Sequence, residues 1–277
     1  DNLDTASAPA KHARTLTGHL NTFLSSMQAY YAGALGIAYI NIFYAPYLVG
    51  MSFKEMKQEA QYLIFSGSQN AFSRGGQSLF LDFNVHLGIP EYLKKVPAIG
   101  PGGQYTGKTY QDYEKESQQF LKALMEVWEK GDYNGKVFAF PKMDLHINQD
   151  SFEDPAQLAL LEYACHIASE NGTPYFIFDR DSVSLSACCR LKNEITDMQM
   201  LRKPEMLRFS GIQNVTINLP QCAYRSKEKV DRNKNMKKGE IFAHFFTEIE
   251  NVLKLVLKAH QEKKQFLQKM MDSPNGP

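Results

Sequence analysis

Cysteine is scarce in this sequence, and long apolar runs are missing. Four cysteines stand at positions 165, 188, 189 and 222 of 277 residues, and none belongs to a C-x-x-C pair of the kind that binds zinc. No stretch approaches the roughly 20 apolar residues of a membrane span, and the N-terminus lacks the apolar core of a signal peptide. We therefore expect a cytoplasmic protein with reduced cysteines and no membrane partner.

An excess of charge of one sign is also missing. Lys and Arg total 31 and Asp and Glu total 30, so no surface for wrapping nucleic acid is expected. A free nucleotide is compatible with this balance, because backbone N–H groups and one or two cations can hold a phosphate. The G-x-G-x-x-G fingerprint is absent. We expect neither a P-loop ATPase nor a nicotinamide enzyme.

Both ends of the sequence resemble cut ends. Residues 1–10 are polar and begin without Met, and the last residues, MMDSPNGP, place Pro and Gly just after a predicted helix. We expect a fragment of a longer protein. Its hydrophobic content of 43% is sufficient for a folded core in one large domain or two small ones.

The first 65 residues have the apolar spacing of helices. Apolar side chains recur at steps of three and four residues from Leu16 to about Tyr44, which predicts a helical run. A second helix is predicted from Ser52 to about Phe65, because Ser52 and Glu55 form a capping-box pattern. Residues 1–65 are therefore predicted to be a helical segment.

Residues 66–277 alternate between predicted strands and helices. The predicted strands are 79–85, 136–147, 174–178 and 214–219, and the predicted helices are 110–130, 155–170 and about 239–271. Strands that alternate with helices of this length imply crossover connections, hence an α/β fold with a parallel sheet or barrel. The strands are apolar almost throughout, as expected when both faces are covered.

Polar side chains cluster near the carboxyl ends of the predicted strands, where α/β proteins bind ligands. They are Asp82, Asn84, Asp144, His146, Asn148, residues 179–181 and Asn218. His86 and His146 are candidates for acid–base groups or metal ligands. No H-x-x-x-H or Glu-x-x-His spacing accompanies them, so hydrogen-bonded structural roles are favoured and no metal is expected in this chain.

Two short segments contain residues suited to chemistry. In NAFSRGGQ (70–77), the two glycines permit close backbone approach and Arg74 offers a planar donor for phosphate or carboxylate. The segment alone favours a tight turn with a surface arginine, because a Gly-Gly pair is a common loop device. In SLSACCR (184–190), Cys188 and Cys189 are reactive candidates or simply small buried side chains. Adjacent cysteines rarely reach disulfide geometry, so a redox pair is not expected.

The order of five segments resembles the central region of anaerobic, class III (glycyl-radical) ribonucleoside-triphosphate reductases. The segments are SRGGQSLFLDFNVHLGIP, VFAFPKMDLHIN, TPYFIFDRD, LSACCRL and NVTINLP, and the resemblance runs from about Leu16 to Met271. Within this family, the sequence most resembles the branch in which the radical cysteine stands in a C-C-R-L motif. The resemblance implies part of a ten-stranded α/β barrel, made of two parallel five-stranded halves set antiparallel, with a finger loop near 184–191.

The resemblance also implies roles for individual residues. Cys189 stands at the thiyl-radical position, and the thiyl would remove the ribose 3′ hydrogen before the 2′ hydroxyl leaves as water. Cys188 and Arg190 would support it near the substrate, and Asn218, with Asn214 as second choice, would offer an amide to the ribose hydroxyls. The residues implied to hold the substrate are Ser73, Arg74, Gly75, Gly76 and Gln77.

Further expectations concern cofactors and partners. The resemblance implies no cofactor in this chain, with the glycyl radical, the structural zinc and their cysteines in a C-terminal part outside it, so that this chain alone would be inactive. It implies ribonucleoside triphosphate substrates, ATP or deoxynucleoside triphosphate effectors, a radical-SAM activating enzyme and a homodimer formed through residues 1–65. Two alternatives stay open: a formate-lyase type of glycyl-radical enzyme, and a non-catalytic deoxynucleotide-binding module.

Overall fold

The structure is a computed structural model that describes residues 5–31, 33–70, 78–180, 184–187, 191–194, 211, 213–232 and 238–274. The chain divides into two units, Asp1–Arg208 and Phe209–Pro277. None of the helices in the described part of the chain is both long enough and apolar enough to cross a membrane.

The first unit contains seven α-helices and eight strands within its described residues. The helices are α1 (Ala13–Gln28), α2 (Ile40–Tyr44), α3 (Phe53–Gln69), α4 (Glu91–Lys94), α5 (Glu114–Lys130), α6 (Asp150–Glu153) and α7 (Pro155–Asn171). The strands are β1 (Leu35–Ile37), β2 (Leu81–His86), β3 (Pro97–Ile99), β4 (Tyr105–Thr109), β5 (Lys142–Ile147), β6 (Tyr175–Phe178), β7 (Ser184–Ala187) and β8 (Leu191–Glu194). Short 3₁₀ turns cover Ala45–Tyr47, Pro101–Gly103 and Tyr110–Tyr113.

Four of these strands form a parallel sheet in the order β1-β2-β5-β6. Every residue of β2 is buried, and β5 is buried after Lys142, because helices pack over the sheet. The core joins Leu63 of α3 and Phe120 of α5 to Phe83 and Val85 of β2. The predicted α/β fold with a parallel sheet is therefore confirmed.

Capping residues account for the sharp ends of the long helices. At the start of α3, the Ser52 hydroxyl accepts from the Glu55 backbone N–H, and the Glu55 carboxylate accepts from the Ser52 N–H at 2.7 Å, which confirms the predicted capping box. At the start of α7, Asp154 accepts from the Gln157 N–H at 2.8 Å and Pro155 occupies the first turn. Gly131 ends α5 at φ 70°, a conformation that favours glycine.

Two predicted boundaries differ from the structure. The helical run predicted from Leu16 to about Tyr44 stops at Gln28, and β1 and α2 follow, because Leu35–Ile37 pairs with Leu81–Phe83 of β2. The strand predicted over 136–147 begins only at Lys142. Its first residues belong to a turn in which the Asp132 carboxylate accepts from the Asn134 and Lys136 N–H groups.

The strands β7 and β8 pair antiparallel, and residues 188–190 connect them along the chain. Cα atoms of β7 come within 8 Å of Cα atoms of both β1 and β2. A hairpin therefore accompanies the parallel sheet in the region where the sequence predicts the finger loop.

The second unit contains helices α8 (Leu219–Arg232) and α9 (Ile241–Met271), with a 3₁₀ turn at Lys238–Glu240 before α9. Glu248 of α9 accepts from Lys229 at 3.0 Å and from Arg225 at 3.4 Å, which ties the two helices together. The strand predicted over 214–219 is wrong. Residues 214–218 lie in neither helix nor strand, and Leu219 begins α8, because Asn218 Oδ1 accepts from the Gln221 N–H at 2.9 Å as an N-cap.

Candidate functional site

A polar cluster lies where the carboxyl ends of β2, β5 and β6 meet. His86 at the end of β2 is the register partner of His146 on β5, and His146 is the partner of Ile177 on β6. Asp179 follows β6, and its N–H donates to the Ile147 carbonyl at 2.8 Å, so the strand pairing carries it to the same edge. Parallel pairing thus brings together side chains that are far apart in the sequence.

Three aromatic rings stack across this edge. The imidazoles of His86 and His146 have centroids 4.4 Å apart and planes 18° apart. Tyr39 lies on the other side of His86, with centroids 5.1 Å apart and planes 26° apart. Its hydroxyl is 3.2 Å from that of Tyr92. The His86 ring is thereby enclosed between a phenol and a second imidazole.

Tyr39 reaches this position through an unusual backbone conformation. It is fully buried and has φ 54°, which is left-handed and costs a non-glycine residue about 1–2 kcal/mol. This residue precedes the first turn of α2, so its conformation sets the direction in which the chain enters that helix. The surrounding packing must offset the cost, and the result is a ring fixed against His86.

His146 uses both of its ring nitrogens. Nδ1 lies 2.7 Å from Asp179 Oδ2, and Nε2 lies 2.8 Å from Asn84 Oδ1. The Asn84 amide donates through Nδ2 to the Ile37 carbonyl at 3.4 Å. Both ring nitrogens of His146 thus face oxygen acceptors, the Asn84 amide oxygen at Nε2 and the Asp179 carboxylate at Nδ1.

Burial governs the protonation of the other members of the cluster. It lowers the pKa of the His86 imidazole well below its usual value, and the adjacent His146 lowers it further. It raises the pKa of Tyr39 to about 12, partly opposed by the hydrogen bond with Tyr92, and it also raises the pKa of Tyr92. At neutral pH, His86 and both phenols are therefore uncharged.

The cluster opens on a cavity of about 240 Å³. Besides His86, His146 and Asp179, its wall includes Tyr92, Asn148, Ser151, Gln157 and Arg180. Gly88 lies close to two side chains here: a Cβ at this position would lie 2.4 Å from the Gln157 amide nitrogen and 2.9 Å from Glu114 Oε1, so both side-chain ends would have to move. The edge of the sheet is thus a small polar pocket with charged, donor and acceptor groups.

Most of the residues assigned through the resemblance lie outside the described residues. These are Ser73, Arg74, Gly75, Gly76 and Gln77 in one segment and Cys188, Cys189 and Arg190 in the other. Asn214 and Asn218 lie in the second unit, where both are exposed. Asp181, the last member of the predicted strand-end set, is also outside the described residues.

The strand-end prediction identified part of the pocket. Asn84, His146 and Asp179 do meet, while Asp82 and Asp144 are buried within the sheet. Tyr39, Asn41 and Tyr92 were not predicted. The spacing of apolar residues in the sequence cannot reveal Asn41, because this residue acts by hydrogen bonding to the backbone of His86 in a neighbouring strand.

A further sequence pattern lies in a structural context that differs from its usual one. Residues 102–109 (GGQYTGKT) match the G-x-x-x-x-G-K-[ST] spacing of a phosphate-binding loop. In the structure this stretch belongs to the antiparallel hairpin β3–β4, and its N–H groups are engaged: Gly102 donates to the Ala10 carbonyl and Gly103 to the Gly100 carbonyl. A strand–loop–helix cradle is not formed here, so the match does not indicate a P-loop ATPase.

The chain is an α/β protein, with a parallel sheet and a polar pocket at its carboxyl edge. Its fold matches solved anaerobic ribonucleotide reductases from Thermotoga maritima. The structure with MES in the active site has a TM-score of 0.59 at 16% identity over 96% of this chain and 42% of that chain. The complex with dATP and CTP has a TM-score of 0.54 at 18% identity over 95% of this chain and 44% of that one. No curated protein matches.

A family model described as anaerobic ribonucleoside-triphosphate reductase matches residues 1–275. The chain therefore belongs to the anaerobic ribonucleoside-triphosphate reductase family. It spans less than half of the length of the reductase structures that it matches. The family match also decides between the reductase and the formate-lyase type of enzyme in favour of the reductase.

Proposed function

We propose that the protein containing this chain reduces ribonucleoside triphosphates to 2′-deoxyribonucleoside triphosphates by anaerobic radical chemistry. The observation that carries the proposal is the family match over residues 1–275. The C-C-R-L finger-loop motif and the β7–β8 hairpin, which lies beside β1 and β2, support it. In this reading the chain supplies the centre of the catalytic barrel.

Cys189 carries the radical in this proposal. Its thiol loses a hydrogen atom to the glycyl radical, and the resulting thiyl takes the 3′ hydrogen of the ribose. The 2′ hydroxyl then leaves as water, taking the proton of the 3′ hydroxyl. Formate, oxidised to CO2, or a dithiol, oxidised to a disulfide, supplies two electrons, protons are taken up at C2′ and at the 3′ oxygen, and Cys189 returns its hydrogen to C3′. Since S–H and activated C–H bonds have similar strengths, the transfer between Cys189 and the ribose is reversible, and a barrel interior would protect the radical from water.

The neighbouring assignments follow the same proposal. Residues 73–77 hold the substrate, Cys188 and Arg190 support the radical loop, and Asn218 or Asn214 offers an amide to the ribose hydroxyls. The side chain of Asn218 is held by its bond from the Gln221 N–H, and a fixed amide is suited to orienting a hydroxyl. The glycyl radical and the structural zinc belong to a C-terminal part beyond this chain.

We also propose the regulation and the partners of the enzyme from its similarity to the matched reductases. One of the matched Thermotoga maritima structures has dATP bound in its specificity site. We expect ATP and deoxynucleoside triphosphates to act as effectors here, residues 1–65 to contribute to a homodimer, and a radical-SAM enzyme to install the radical in the cytoplasm.

The test compares two cysteine variants of the active enzyme that contains this chain. Under anaerobic conditions, Cys189→Ala should abolish deoxynucleotide formation and leave nucleotide binding by calorimetry close to that of the parent. Cys165→Ala is the matched control, since Cys165 is an exposed residue of α7 and should not alter turnover. Turnover by Cys189→Ala would remove the assignment, and nucleotide binding without any turnover in the parent would favour the binding module.

A further inference from the structure

One ring nitrogen in the pocket has no structural task. His86 Nε2 is buried and makes no hydrogen bond to any of the described residues. The backbone of His86 is held by Asn41, and its ring stacks between Tyr39 and His146, a role that a phenyl ring could also fill. A buried polar atom without a partner costs stability, so the fold gains nothing from this nitrogen. It is available to a ligand.

A second nitrogen of the pocket faces a carboxylate. His146 Nδ1 lies 2.7 Å from Asp179 Oδ2, and its Nε2 lies 2.8 Å from Asn84 Oδ1. A metal-binding histidine characteristically donates its other N–H to an oxygen acceptor. An ion held by Nδ1 and Asp179 would leave the N–H of His146 on Nε2, where the Asn84 oxygen is in place to accept it.

The three side chains offer their ligand atoms at one place. One ligand atom from each of His86, His146 and Asp179 lies within 4.8 Å of the other two. Ligands around a tetrahedral zinc ion with bonds of about 2.0–2.1 Å lie about 3.4 Å apart, so the ligand atoms must move closer together by on the order of 1 Å. The remaining position would face the cavity.

We propose that His86, His146 and Asp179 bind one divalent transition-metal ion, zinc or ferrous iron, at the carboxyl edge of the sheet. Two imidazoles and one carboxylate, with a further position open, are a donor set that both ions accept. The site is separate from the cysteine-bound zinc implied by the resemblance, and it does not depend on the role of Cys189. The imidazole planes are 18° apart and must tilt apart on binding, which makes the site weaker than a preformed one.

The test measures metal binding by the full 277-residue chain. After chelator treatment, the chain is dialysed anaerobically against micromolar free zinc or ferrous iron, and the bound metal is counted by elemental analysis. Wild type should retain one equivalent. His86→Phe preserves the ring stack and removes the nitrogen, and Asp179→Asn preserves the shape and removes the charge. Each should weaken binding at least tenfold.

The control is His166→Ala, which removes an exposed histidine of α7 and should leave the stoichiometry at one. Far-ultraviolet circular dichroism shows whether each variant is folded. If His86→Phe does not fold, the metal binding of Asp179→Asn tests the proposal. Cobalt substitution provides a second readout, because coordination by nitrogen and oxygen gives visible bands that the two site variants should lose. Wild type without bound metal, or site variants that bind as wild type does, would overturn the proposal.

Discussion

The side chain of Asn41 bonds both backbone polar groups of His86. Asn41 Oδ1 accepts from the His86 N–H at 3.0 Å, and Asn41 Nδ2 donates to the His86 carbonyl at 2.9 Å and to Ser117 Oγ at 2.8 Å. All three residues are buried. An amide from α2 thus takes the place of a neighbouring strand at the end of β2, and it fixes the residue on which the pocket is built.

Asn41→Ala should therefore be strongly destabilising. It leaves the N–H and carbonyl groups of His86 buried without their partner, at about 1–3 kcal/mol each, so a loss of about 2–6 kcal/mol in the free energy of unfolding is expected. Urea denaturation followed by circular dichroism measures this loss. Asn134→Ala, in an exposed turn, is the control and should change the free energy by less than about 0.5 kcal/mol. Equal effects of the two substitutions would show that the Asn41 bonds contribute little.

His86 and His146 should respond in opposite ways to replacement by Phe. His86→Phe removes a buried nitrogen that has no partner among the described residues, so stability should be unchanged or should rise by about 1 kcal/mol. His146→Phe removes the partner of both Asn84 and Asp179 and should cost about 2–4 kcal/mol. Thermal unfolding in the presence of a chelator measures the stability of each variant without any contribution from a bound metal ion. A large loss in His86→Phe would mean that this ring has a structural bond.

The sequence predicted the elements whose causes are local. The capping box at Ser52 located α3, and the apolar run over 79–85 located β2, Leu81–His86, to within two residues. The predicted run from Leu16 to Tyr44 failed because the partner of Leu35–Ile37 is β2, more than 40 residues further along the chain. Pairing between distant strands leaves no local pattern, so helix spacing alone could not reveal β1.

The candidate site could likewise be predicted from the sequence only in part. His146 and Asp179 were expected at strand ends. The expectation of no metal rested on residue spacing within one element, whereas the proposed ligands lie on β2, on β5 and just after β6. His86 meets His146 only because of the register between β2 and β5. The left-handed conformation of Tyr39 is also a tertiary effect, since no turn residue such as glycine marks that position.

Gly131 and Gly135 form a matched pair for testing backbone constraint. Gly131 ends α5 at φ 70°, and a Cβ there would lie 2.6 Å from the Lys136 carbonyl oxygen. Gly135 has φ 76°, and a Cβ there would meet nothing within 4 Å among the described residues. Gly135→Ala should therefore cost only the conformational penalty of about 1–2 kcal/mol. Gly131→Ala adds a clash with backbone and should cost about 3 kcal/mol or more. Urea denaturation of both variants gives the difference, and equal costs would indicate that the turn relaxes around the added methyl group.

Asn218 allows a structural role to be separated from the proposed catalytic one. Its Oδ1 caps α8 by accepting from the Gln221 N–H, and Asp is as good an N-cap as Asn. Asn218→Asp should therefore keep the stability of the chain, whereas Asn218→Ala should lose about 1 kcal/mol.

In the active enzyme that contains this chain, both Asn218 variants lack the amide N–H proposed to bond a ribose hydroxyl. We expect both to lower anaerobic turnover by at least tenfold, although only the Ala variant is less stable. Asn214→Asp serves as the comparison, because the resemblance gives Asn214 as the second choice. If Asn218→Asp turned over normally while Asn214→Asp did not, the amide role would pass to Asn214 and Asn218 would be a helix cap alone.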